Sequence, residues 1–159
     1  RREGDGTGRP AKPARRCHWA APFHALRVAL RRHGMGERTR AVIARMQYLI
    51  LQNSGEVMTS LLAELQGEDE LFASANTLAC VEMHLLRMAQ TLAHWPEPLR
   101  LRLVQLDWHG WGRLQGLLES DGQPRREEVW YGIHALVPAT LELIAQLRQK
   151  EPAWFELDF

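Results

Sequence analysis

An arginine and a histidine that the fold brings together can act on a phosphodiester. The imidazole takes a proton from a hydroxyl and returns one to the leaving oxygen, while the guanidinium pairs with phosphate and stabilises the developing charge. Three arginines precede a histidine with four to six residues between them: Arg27 before His33, Arg87 before His94, and Arg102 before His109. With seven histidines among 159 residues and arginine so common, chance spacing accounts for pairs of this kind. Arg102 and His109 stand out because they lie two turns apart on one face of a predicted helix.

Other chemistries find less support. No HExxH, ExxH or clustered Cys/His spacing is present, and Glu82 and His84 fall on different sides of a helix, so neither a metal nor another cofactor is indicated. His84, His94, His109 and His134 read as single histidines, satisfied or exposed. Gly110-Trp111-Gly112 lacks the strand-to-helix context of a phosphate loop. Cys17 and Cys80 lie far apart with no CxxC spacing, which argues against a disulfide framework and makes a reducing cytoplasm the plain expectation.

Charge is divided unevenly. Residues 1–34 hold nine Arg or Lys against two acids, whereas residues 35–159 hold eleven against seventeen. The body is therefore acidic, and its net field supplies no long-range attraction to a nucleic-acid backbone. With 45% hydrophobic and 25% charged residues the chain can bury a core. No apolar run is long enough to cross a membrane.

These residues need elements to position them, and apolar periodicity predicts helices throughout. Residues 1–16 combine Gly, Pro and Arg without periodicity and read as a disordered tail. Trp19, Phe23, Leu26 and Leu30 give a short amphipathic helix ending at His33-Gly34, and residues 1–34 together read as an extension. Ile43, Met46, Ile50, Val57, Leu61 and Leu65 predict one long helix over Glu37 to Gln66, bent at Gly55. Leu71, Leu78, Leu85 and Leu92 predict a second from Glu70 to His94, which Trp95-Pro96-Glu97-Pro98 ends. A third spans Glu97 to Glu119, and Ser120-Asp121-Gly122-Gln123-Pro124 forms a turn. The fourth runs from Pro124 to Lys150 with Pro138 bending it. Four stripes with short connections predict an all-α, antiparallel four-helix bundle over residues 35–150. The aromatic tail, residues 151–159, is expected to dock on this body or on a partner.

Trp108, the turn, Val129-Trp130 and Val137-Pro138 fall at spacings that resemble the HepT-like proteins of the HEPN superfamily. The resemblance covers roughly Arg40 to Leu147. It implies a small helical homodimer, metal-independent ribonuclease chemistry with an Arg and a His from each subunit at the seam, and a nucleotidyltransferase-like antitoxin as partner. Counted from Trp108, the motif's Arg falls on Gln115 and its His on Ser120. Gln115 carries no charge and Ser120 does not titrate near neutral pH, so the motif is degenerate here.

The expectation is thus a HepT-like protein that binds its partner without cutting RNA. Two alternatives stand beside it: an active endoribonuclease using a displaced pair such as Arg102 and His109, and an unrelated helical interaction protein. Arg113, two positions before Gln115, is a surface charge with a smaller claim to replace the motif's Arg or to lie at the interface. Trp108 and Trp130 are expected in the core, and Trp111 either in the core or at the dimer seam. Stacking on bases would need basic residues interleaved with the rings, and in sequence only Arg113 is close.

Overall fold

The computed structural model describes residues 36–121 and 125–155. These are all-helical: α1 (Glu37–Ala63), α2 (Glu68–Ala73), α3 (Ala75–Ala93), α4 (Glu97–Arg100), α5 (Trp108–Glu119), α6 (Arg126–Tyr131), a π-helical turn (Gly132–Leu136) and α7 (Val137–Lys150), followed by a 3-10 turn (Pro152–Trp154). The expected extension over residues 1–34 and the last four residues of the aromatic tail lie outside the described residues.

Ile43, Ala44, Gln47, Tyr48, Leu51, Ser54, Gly55 and Met58 form the buried stripe of α1, whereas Met46 is exposed. The stripe is rotated by about one column from the apolar series in the sequence, because two of its members, Gln47 and Ser54, are polar. Both are satisfied in part by neighbours on and just beyond α3: Gln47 Nε2 donates to the carbonyl of His94, the residue after α3, at 2.9 Å, and Ser54 Oγ lies 3.2 Å from His84 Nδ1. Gly55 sits inside a continuous helix. Its service is close approach, since a Cβ there would collide with the Leu141 side chain of α7.

Helix α1 packs on α3 and α7, α3 packs on α5, and α5 packs on the π-helical turn. Leu85, Met88 and Leu92 of α3, Trp111 and Leu114 of α5, and Val129, Ile133, Leu136 and Ile144 of the last helical run meet in one core. Trp108 and Trp130 are half-buried against it.

Three of the four expected helices are subdivided. The predicted Glu70–His94 helix is broken at Ser74, whose extended backbone separates α2 from α3 and whose hydroxyl donates to Thr77 Oγ1 at 2.9 Å. The predicted Glu97–Glu119 helix breaks over residues 101–107. Asp107 restarts it as the N-cap of α5, accepting the Gly110 N–H at 2.8 Å. In the last segment Pro138 is accommodated by the π-helical turn immediately ahead of it, closed by the Val137 N–H to the Gly132 carbonyl. At the C-terminal end Phe155 is buried and its ring lies 5.6 Å from that of Tyr48, so this part of the tail packs on α1.

Candidate functional site

The Asp107 cap decides which side chains α5 presents. With the helix starting at Trp108, Trp111 and Leu114 turn inward, while His109 and Arg113, four residues apart, turn outward together. Gly110 is needed beside the cap, because a Cβ there would strike the Asp107 carboxylate. Facing this exposed edge is α6, which contributes Glu127, Glu128 and Tyr131, with Leu136 of the π-helical turn also in the lining. Between them lies a cleft of about 310 Å³.

The arginines that precede this wall are drawn elsewhere. Arg125 makes a two-pronged pair with Glu82 of α3, at 2.9 and 2.8 Å, and also donates to the Ser120 carbonyl at 3.2 Å. The hydrogen bonds to Glu82 raise its pKa above the ordinary guanidinium value. Arg126 donates to Glu68 at 2.9 Å and Asp69 at 2.6 Å, with its guanidinium carbon 4.6 Å from the centre of the Phe72 ring. Those two acids likewise raise the pKa of Arg126, the Glu68 bond foremost. Among the described residues no side-chain hydrogen bond or ion pair engages His109, Arg113, Glu127, Glu128 or Tyr131.

The displaced pair imagined on one helical face is not on one helix. Arg102 lies in the turns between α4 and α5, pairs with Glu151, and lines a separate cleft with Leu103, Gln146 and Lys150. His109 shares its cleft with Arg113 instead. The break at 101–107 is what separates Arg102 from His109; Asp107 followed by Gly110 was the sequence feature that could have shown it.

Gln115 and Ser120 are both tied into their own helix. Gln115 Nε2 donates to Glu119 Oε1 at 3.1 Å, and Ser120 Oγ donates to the Gly116 carbonyl at 2.7 Å. Trp111 is only 2% exposed and its indole N–H donates to Thr140 Oγ1 at 2.9 Å. Its ring belongs to the core of a single chain and offers no surface to a seam. Arg113 remains at the surface, on the rim of the cleft.

His84 is buried, and burial pushes its pKa below the ordinary value, with the nearby Arg87 charge acting the same way. It serves as a neutral partner to Ser54. Among the described residues no three His, Cys, Asp or Glu side chains gather to hold a metal ion, and no helix is long and apolar enough to cross a membrane. No family model, curated protein or solved structure matches the chain.

Proposed function

We propose that this chain is a HepT-like helical protein that acts by binding, with a nucleotidyltransferase-like antitoxin as partner, and that its ribonuclease motif has decayed. The observation that carries this reading is the state of the two motif positions. Gln115 and Ser120 are uncharged and spend their polar atoms on Glu119 and Gly116 of the same helix. Neither supplies a proton carrier or a cation to a phosphodiester. In this reading the chain is also a homodimer, with a seam that does not include the buried Trp111.

A second reading has one observation in its favour. His109 and Arg113 line one cleft and are free of other described partners, which is the minimum an Arg/His ribonuclease requires. Two carboxylates, Glu127 and Glu128, line the same cleft and oppose a phosphate there.

The binding reading is tested by mixing the purified full chain with a nucleotidyltransferase-like protein encoded beside it and following sedimentation. A complex of fixed stoichiometry is expected. Independent sedimentation of the two at tens of micromolar would remove the partner assignment; a specific complex would form well below that concentration, at a Kd of about 1 μM or tighter.

A further inference from the structure

We infer that the cleft between α5 and α6 receives a cationic side chain, a guanidinium or ammonium on an aliphatic stem, presented by a partner protein. This rests on the reading of the chain as a binding protein and specifies what part of a partner it recognises. Charge is the first argument. Glu127 and Glu128 line the cleft with no described partner, while the adjacent Arg125 and Arg126 are held by Glu82 and by Glu68 and Asp69. With Asp107, the cleft has three carboxylates on its wall against the single guanidinium of Arg113. An anionic ligand is disfavoured and a cation is attracted.

Shape is the second argument. Leu114, Leu117 and Leu136 provide an apolar lining for a methylene stem, and Tyr131, 53% exposed, offers an aromatic ring to the charged head. Tyr131 and Leu136 are five residues apart. On an ideal α-helix such residues diverge by about 140°, at about 100° per residue. The intervening π-helical turn, with its i to i+5 hydrogen bond, brings both onto the same cleft. Thus the irregularity enforced ahead of Pro138 completes a wall that a regular helix would leave open. The volume of about 310 Å³ lies at the small end of ligand clefts and has room for one long side chain.

The test is an NMR titration of the full-length protein with N-acetyl-arginine amide, using N-acetyl-citrulline amide as the uncharged counterpart. Expected are shifts at Tyr131, Gly132 and Glu128 amides that saturate in the millimolar range, about ten times weaker for the citrulline compound. Glu127→Gln with Glu128→Gln is expected to weaken arginine binding about tenfold, and Tyr131→Ala about threefold. Glu56→Gln on α1, outside the cleft, is expected to change nothing. Equal binding of the two amides, or shifts spread over the acidic surface and unaffected by the double substitution, would overturn the inference. So would stronger binding of a short oligouridylate at these same residues, which would mark the cleft as an RNA site. A chain that forms the antitoxin complex but ignores arginine would refute only the cleft assignment, whereas arginine binding without that complex would refute the named partner.

Discussion

The indole of Trp111 on α5 donates to the hydroxyl of Thr140 on α7 at 2.9 Å, and both residues are almost wholly buried. This bond ties the helix that carries His109 and Arg113 to the end of the chain beyond the π-helical turn. Thr140→Val preserves the shape and leaves a buried N–H without its acceptor, at a cost of about 1–3 kcal/mol. Thr140→Ser retains the hydroxyl and is expected to cost less. Chemical denaturation should show a lower midpoint for the valine variant at unchanged slope. Equal stability of wild type and valine variant would mean that the indole finds another acceptor.

The buried pair of His84 and Ser54 makes a pH prediction. Burial, aided by Arg87, lowers the folded-state pKa of His84 below its unfolded value, so the unfolded chain binds the proton more readily. The sign follows: this contribution to stability is intact above the unfolded pKa of about 6.5 and is lost as pH falls from there toward the lower folded value. Denaturation midpoints measured between pH 7.5 and 5 should decline, and His84→Gln should flatten part of that decline. A midpoint that rises on acidification through this range would contradict the assignment.

Much of the fold was legible in the sequence, because the leucine series on α3 and the inward pair Trp111 and Leu114 on α5 obey the helical period. What the sequence obscured has particular physical causes. The core side of α1 contains Gln47 and Ser54, whose burial depends on partners on and just beyond α3 that are distant in the chain. Ser74 interrupts a helix with one residue of extended backbone, and Asp107 starts another through a single side-chain hydrogen bond; both are too local to disturb an apolar stripe. The cleft was less legible still. Two of its three acids come from a stretch, Arg125-Arg126-Glu127-Glu128, that looks self-neutralising until the tertiary pairs of Arg125 and Arg126 are known.

Self-association gives a further check. Sedimentation at tens of micromolar is expected to show about twice the 18.3 kDa chain mass, at a concentration where even a weak dimer, with a Kd on the order of 10 μM, is populated. Because Trp111 is buried within one chain, Trp111→Phe should leave that mass unchanged while lowering stability. A monomer would remove the dimer from the proposed function; dissociation by a well-folded Trp111→Phe variant would return that ring to the interface.

The hydrogen bonds of Gln115 and Ser120 are exposed and local, so replacing these side chains costs the fold little. Gln115→Arg with Ser120→His is expected to gain metal-independent RNA cleavage leaving a 2′,3′-cyclic phosphate end. The gain requires the dimer seam to hold both new side chains, and its product is read directly from the RNA termini. A folded, dimeric double variant with no cleavage would show that the register counted from Trp108 does not place a working pair.

The most direct measurement is RNA cleavage by the unaltered full-length protein in the presence of a chelator. Without an acid/base group at the motif position, a loss of about 10²–10⁴-fold in rate is expected from that step alone, and the missing guanidinium removes further stabilisation of the transition state. No cleavage above the protein-free control is therefore predicted over hours. Robust chelator-resistant cleavage that His109→Ala abolishes would contradict the account and place catalysis in the cleft that His109 shares with Arg113.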